Sequence, residues 1–191
     1  MVKIFLLRHG EAAKVDNDTI LTNKGNREAE SLGKKLKELK INKIYVSNLT
    51  RAQETMTHYT KLIEEKPEVI TTEKLKEIYR VLVGGPIREG TPKEREFNDK
   101  KRADEIYSEL MKQEGNIAVF AHGNIIRYLL IKAMDIEFKD LWTKLFLSTG
   151  SISVIEKTKK DIIRVSAINL IDHLPTKDEF YKEEIETIYH Q

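Results

Sequence analysis

The sequence predicts an α/β fold, a three-layer sandwich with a mostly parallel central sheet, helices on both faces and an antiparallel edge. Three observations lead there. The runs Val2 to Leu7, Ile44 to Val46 and Ile117 to Phe120 are apolar on both faces and rich in branched residues, the pattern of strands buried between two helical layers. Each run is followed by apolar residues at the three-and-four spacing of a core-facing helix, and such β-then-α alternation closes as a parallel sheet with right-handed crossovers. Gly150 to Ile155 and Ile162 to Val165, joined by the charged Glu156 to Asp161, read as a hairpin that adds an antiparallel pairing.

In chain order, the first strand leads to a helix whose stripe is Ala29, Leu32, Leu36 and Leu39. The second leads to one with Ala52, Met56, Tyr59 and Ile63, opened by the capping pattern Thr50-Arg51-Ala52-Gln53, which puts Arg51 in its first turn. Val69 to Ile78 reads as a further extended segment, and Val83-Gly84-Gly85-Pro86 as a loop within the domain. Thr91-Pro92-Lys93-Glu94 starts another helix, with proline where its missing N–H is harmless. The third strand leads to Ile125, Ile126, Leu129, Leu130 and Ala133. Residues 1–175 are expected to form a single catalytic domain, and the charged stretch 176–191 a C-terminal helix or tail.

Composition narrows the function. A chain of 191 residues buries a core unaided, and 40% hydrophobic with 34% charged residues excludes disorder for most of it. Lys and Arg number 33 against 31 Asp and Glu, a net charge of +2, so charge does not mark a nucleic-acid or membrane-surface binder. No basic run is interleaved with exposed aromatics, as a single-strand binder requires. The absence of cysteine excludes disulfides, a thiolate nucleophile and sulfur-ligated metal. Uncharged stretches such as Gly115 to Ile126 fall short of the roughly 20 apolar residues of a membrane span, and the apolar run between Lys3 and Arg8 is too short for a signal-peptide core. A cytoplasmic protein without membrane contact is expected.

Ligands of open α/β sheets lie outside the carboxyl ends of the strands. There the chain carries Arg8-His9-Gly10-Glu11, then Ser47 through Arg51, then Ala121-His122-Gly123-Asn124. Two arginines and two histidines, distant in sequence, converge on one edge. Phosphoryl groups call for this set: guanidinium forks bind the oxyanions bidentately, and a helix N-terminus at Arg51 adds backbone donors. A histidine held by one ring nitrogen can attack phosphorus with the other, and no metal or cofactor is then required. Singly, each arginine would read as a surface ion-pairing residue and His122 as a hydrogen-bonded core histidine; their joint placement reverses this. His58 and His190 read as solvated and His173 as structural, bonding backbone near the hairpin, and no His, Asp or Glu pair has metal-ligand spacing. Lys34-Lys35-Leu36-Lys37 and Lys100-Lys101-Arg102 read as solvated helix faces, the latter alternatively overhanging the pocket. Tyr128, Trp142 and Phe146 read as core or subunit contacts, which leaves a homodimer open. Ser148, Thr149 and Ser151 form a polar turn at the site rim.

Leu7-Arg8-His9-Gly10-Glu11, Leu21-Thr22-Asn23-Lys24-Gly25, Ser47-Asn48-Leu49-Thr50-Arg51-Ala52, Leu75-Lys76-Glu77, His122-Gly123, Asn169 and His173-Leu174 stand in this order. The chain thereby resembles the histidine phosphatase superfamily, which includes cofactor-dependent phosphoglycerate mutase, over nearly its whole length. The resemblance implies that His9 is the nucleophile and that Arg8, Arg51 and His122, with Gly123 beside them, hold the phosphoryl oxygens. It also implies that Glu77 protonates the leaving oxygen and then activates water. The chain departs from the pattern at Val15, where many members carry Asn or Thr; Asp16, Asn17 or Thr19 are the substitutes, and Asn17 is taken as the substrate-binding candidate. His122 to Tyr128 and Gly150 to Ile152 also resemble a branch containing a serine/threonine protein phosphatase.

The expected function is a metal-independent phosphomonoester hydrolase acting through phosphohistidine on a phosphorylated small molecule or phosphoprotein. A phosphoglycerate mutase is the first alternative, although mutases resembling this chain are usually longer between the acid and the second histidine. A phosphate-binding module without catalysis is the second, although His9 and Glu77 are both present. Glu89, in Ile87-Arg88-Glu89-Gly90, competes with Glu77 for the acid role; Glu77 is favoured because Leu75 and Ile78 flank it.

Overall fold

The computed structural model describes residues 1–15, 18–137 and 141–175. In chain order it contains β1 (Val2–Arg8), β2 (Ala12–Val15), β3 (Asp18–Leu21), α1 (Asn23–Lys37), β4 (Lys43–Ser47), α2 (Thr50–Thr60), β5 (Glu68–Thr72), α3 (Lys93–Leu110), β6 (Gly115–Ala121), α4 (Gly123–Met134), α5 (Leu141–Lys144), β7 (Ile152–Lys157) and β8 (Ile163–Leu170). Two 3₁₀ turns, Glu73–Leu75 and Arg80–Val83, lie between β5 and α3.

Six strands form one sheet in the order β5-β4-β6-β1-β7-β8. β5, β4, β6 and β1 are mutually parallel, and β7 and β8 add the antiparallel edge. The period of two explains why the inner strands are apolar on both faces. In β1, Val2, Ile4 and Leu6 enter a core with Ala103, Ile106 and Leu110 of α3 and Ile125, Ile126 and Leu129 of α4. Phe5 and Leu7 enter the opposite core, with Leu32 and Leu36 of α1 and Ala52 and Tyr59 of α2. The predicted sandwich, its three inner strands and the hairpin are present, and so are the helix stripes, except that Leu39 and Ile63 fall just beyond the ends of α1 and α2. Leu32 and Leu36 are fully buried, and truncating such a leucine to alanine costs about 2–5 kcal/mol.

Local chemistry departs from the sequence reading in four places. Thr50 is the first residue of α2, not its cap; Leu49 caps without a side-chain bond, because the Thr50 hydroxyl donates to the Asp18 carboxylate, a charged and therefore stronger acceptor. At α3, Pro92 rather than Thr91 occupies the cap position. The extended segment stops at Thr72, where the Thr72 hydroxyl accepts from Lys74 N (3.2 Å) and turns the chain into the first 3₁₀ turn. Residues 12–21, to which the sequence assigns no strand, form the two-stranded β2–β3 hairpin. It docks on α2 through Asp18 and through Leu21 N, which donates to the Glu54 carboxylate (2.7 Å). Asn17 and the segment 176–191 lie outside the described residues.

Gly10 and Gly25 let the chain after β1 cross the first turn of α1. A Cβ on Gly10 would stand 2.4 Å from the Gly25 carbonyl oxygen, and one on Gly25 1.9 Å from that of Glu11. Only glycine at both positions permits this approach, and it seats the turn that carries His9.

Candidate active site

Sheet register places His9. β1 and β6 pair residue by residue up to Arg8 opposite Ala121, and His9 N extends the ladder by donating to Ala121 O (3.1 Å). From the other side Gly150 N donates to the carbonyls of Arg8 (3.1 Å) and His9 (3.2 Å), and Gly10 N donates to the Thr55 hydroxyl (3.1 Å). The turn of Ser148, Thr149 and Ser151 is buried beneath this segment rather than standing at the rim; Ser148 N donates to the Asn169 side chain (2.7 Å). His173 Nε2 bonds the Gly150 carbonyl (2.9 Å), the structural role expected of it.

The ring of His9 is oriented from both nitrogens. Arg51 Nε lies 3.0 Å from Nε2, and since a guanidinium has only donors, Nε2 is the acceptor. The proton of the neutral ring is therefore on Nδ1, which donates to the Gly10 carbonyl at 2.7 Å. Burial, with Arg8 and then Arg51 adding positive charge, lowers the His9 pKa to about 3 against the opposing pull of the Gly10 bond. The Nε2 lone pair is available at neutral pH.

His122 follows β6 directly and is fully buried. Its ring centroid stands 5.0 Å from that of His9, at 59°, and its Nε2 bonds the Ser47 hydroxyl at 2.9 Å. Burial, and next the neighbouring His9, Arg51 and Arg8, lower it to about 2. Arg8 reaches across β1 to donate through Nη1 to the Leu147 carbonyl. Its Nε, like Nδ1 of His122, is buried without a hydrogen-bond partner among the described residues. Gly123 packs against this guanidinium: a Cβ there would stand 3.6 Å from Arg8 Nε and 3.2 Å from Arg127 Nη1.

Glu77 comes from outside the sheet. Its carboxylate accepts from Asn124 N (3.0 and 3.2 Å), Ile125 N (3.1 Å) and its own neighbour Ile78 N (3.0 Å). It thus caps α4, whose cap residue His122 makes no side-chain cap bond, and sits at the positive end of the helix dipole one residue beyond His122-Gly123. Burial lowers the Arg51 pKa and the Glu77 charge is the largest influence opposing it, so carboxylate and guanidinium sense one another across the site. Arg8, His9, Arg51, Glu77, His122 and Gly123 are brought together. Glu89, in the loop after the second 3₁₀ turn, is exposed. Val15 is 47% exposed on β2.

Four contributors escaped the sequence reading. Ser47 holds His122; its signal was its place at the end of β4, on the same edge as the histidines. Glu28, fully buried on the α1 stripe, accepts from Glu11 N (2.7 Å) just past His9, and burial raises its pKa. Arg127, a lone charge early in an apolar helix, donates to Leu145 O (2.8 Å) and to Asn124 Oδ1 (3.1 Å) behind Arg8. Arg102 is no solvated residue: it turns inward and bonds the backbone carbonyl of Glu77 at 2.8 Å. Its neighbour Lys101 is exposed as expected. Among the described residues no group of three or more His, Asp or Glu is placed to hold a metal ion, and no helix is long and apolar enough to cross a membrane.

This arrangement offers an oriented nitrogen nucleophile, guanidinium donors beside it, and a carboxyl within the same site. Residues 4–99 and 84–170 match a family model described as the histidine phosphatase superfamily, branch 1. The chain is 31% identical over 164 residues, 78% of its length, to the mitochondrial serine/threonine-protein phosphatase Pgam5 of Drosophila yakuba. That alignment covers 56% of the fly protein, so this chain spans little more than half of its relative. In fold it is similar to YhfR of Bacillus stearothermophilus (TM-score 0.74, 22% identity, 91% of this chain and 99% of that one). It is likewise similar to the alpha-ribazole phosphatase of Shigella flexneri (TM-score 0.72, 18% identity, 92% and 99%).

Proposed function

Since the chain belongs to the histidine phosphatase superfamily, we propose that it is a phosphomonoester hydrolase working through a phosphohistidine at His9, without a metal. The observation that carries this reading is the orientation of His9, with Nδ1 tied to Gly10 and the Nε2 lone pair facing Arg51. An incoming phosphoryl group takes over the Arg51 donor, which frees Nε2 for attack. The Nε2–phosphorus bond forms as the ester oxygen–phosphorus bond breaks, and Glu77, protonated in the substrate-bound enzyme with the anionic phosphate beside it, gives that proton to the departing oxygen. Water then attacks phosphorus, Glu77 takes its proton, and the nitrogen–phosphorus bond breaks to release inorganic phosphate and restore the neutral ring.

Charge in the transition state lies on the phosphoryl oxygens, and Arg8 and Arg51 supply the fixed positive groups that metal ions supply elsewhere. His122 contributes as a donor through Nδ1 when Ser47 donates to its Nε2. A phosphoserine or phosphothreonine substrate is favoured by the curated relatives, which are named as serine/threonine-protein phosphatases. A small phosphorylated metabolite presents the same phosphoryl end to the site. The relatives are named as mitochondrial; for this chain a cytoplasmic, cysteine-free enzyme is the reading we retain.

The experiment is phosphate release from an aryl phosphate, phosphoserine peptides and a panel of phosphometabolites, each with a chelator present. Undiminished release with little interconversion of phosphoglycerates is expected. Activity that vanishes with chelator and returns with magnesium or zinc refutes the metal-free mechanism, and efficient interconversion with negligible release reassigns the chain to the mutases.

A further inference from the structure

We propose that Arg102, locked in place by Asp99, is a positioning residue that sets where Glu77 stands; the inference rests on Glu77 being the proton donor. Glu77 lies in irregular chain between two 3₁₀ turns, where no sheet ladder holds the backbone. Instead, one guanidinium gathers its carbonyls. Arg102 Nη1 donates to those of Lys76 (2.6 Å), Lys74 (3.2 Å) and Glu73 (3.4 Å), and Nη2 to that of Glu77 itself (2.8 Å). The Asp99 carboxylate, one turn earlier on α3, fixes the fork: its Oδ1 accepts from Nε (3.1 Å) and Nη2 (2.8 Å).

Asp99 also holds the far side of the acid. Its Oδ2 accepts from Tyr79 N (2.7 Å), so the main chain is gripped at the Glu77 carbonyl and again two residues later. Ile78 between them is buried, as is Leu75 before them. With its backbone fixed at both ends, Glu77 has one place from which to reach the N-terminus of α4. Asp99 and Arg102 are themselves withdrawn from solvent, their side chains 11% and 19% exposed, so the pair is more than a surface ion pair. A lysine cannot substitute, because an ammonium offers a point charge where a planar fork reaches several carbonyls at once.

A residue that only stabilised the fold would lower turnover of every substrate alike. A residue that positions the proton donor matters most where the leaving oxygen needs that proton. The test compares kcat/KM of the full chain for an alkyl phosphomonoester such as phosphoserine with that for p-nitrophenyl phosphate, whose leaving oxygen needs little protonation. Arg102→Lys is expected to lower the alkyl value by about 10–100-fold and the aryl value by less than about 3-fold; Asp99→Asn shifts the ratio the same way by less, and Lys101→Met leaves both unchanged. Parallel losses on the two substrates, or no loss, overturn the proposal, and if Arg102→Lys does not fold, Asp99→Asn decides by the same ratio. Glu77→Gln is measured alongside: if it too loses both substrates equally, the acid assignment falls and the positioning role with it. If Glu77→Gln alone shows the selective loss, only the positioning role is wrong.

Discussion

The two halves of the site are built on opposite principles. Arg8, His9 and His122 stand at the ends of adjacent parallel strands, so backbone ladders fix their spacing. Glu77 stands on irregular chain, held by side-chain bonds from α3 and by the helix end it caps. A ladder cannot shift one residue without reversing every side chain on the strand, whereas a side-chain brace changes by single substitutions. The proposed phosphoryl-binding half is therefore held by backbone, and the proposed leaving-group half by side chains that single substitutions can change.

The sharpest way to break this comparison is to remove one group from each half. On the strand side, His9→Ala is expected to lower kcat by about 10⁴-fold or more on every substrate, because the proposed covalent intermediate forms on that ring. Steady-state assays with alkyl and aryl phosphates check this; substantial residual activity would mean another nucleophile. Arg51→Lys comes next, with an expected loss of about 10²–10³-fold in kcat/KM, equal for both substrate types, since the lost donor is proposed to serve the phosphoryl oxygens. On the Glu77 side the loss should depend on the leaving group: Glu77→Gln costs about 10²–10³-fold on alkyl phosphates and less than about 10-fold on an activated aryl phosphate. Glu89→Gln, at an exposed loop residue, is expected to change neither by more than about 2-fold; a selective loss there would transfer the acid role to Glu89.

The smallest effect is on stability. The folded-state pKa of His9 is depressed to about 3 and that of His122 to about 2, both from 6.5. Between those values and about pH 6.5 the unfolded chain binds more protons than the folded one. Their contribution is thus fully present above about pH 6.5 and is lost as pH falls. Denaturation at pH 7 and pH 4.5 should show His9→Gln, neutral throughout, losing less stability than the parent by on the order of 2 kcal/mol. Identical slopes would show that His9 titrates normally in the folded protein.

The same division explains what was legible in the sequence. Strand periodicity and the carboxyl-edge rule located Arg8, His9 and His122, because register carries local residues to a predictable place. Arg51 followed from its helix start, even though the cap itself was misread: Asp18, which takes the Thr50 hydroxyl, meets α2 only after the chain has folded. The β2–β3 hairpin was missed because Ala12-Ala13-Lys14-Val15 offers almost no alternation to read. Arg102 was hidden for a different reason. Apart from Asp99 one turn away, its partners are backbone carbonyls 25 or more residues away, and backbone acceptors leave no mark in a sequence.

Phosphate is proposed to pass through His9. Rapid acid-free quenching of the enzyme during turnover of a ³²P-labelled phosphomonoester, followed by peptide mapping, tests it most directly. An acid-labile, alkali-stable label is expected on the peptide containing His9, formed before phosphate is released, persisting with chelator and absent from His9→Ala. Full turnover with no labelled enzyme, or a label carried on any other residue, would contradict it.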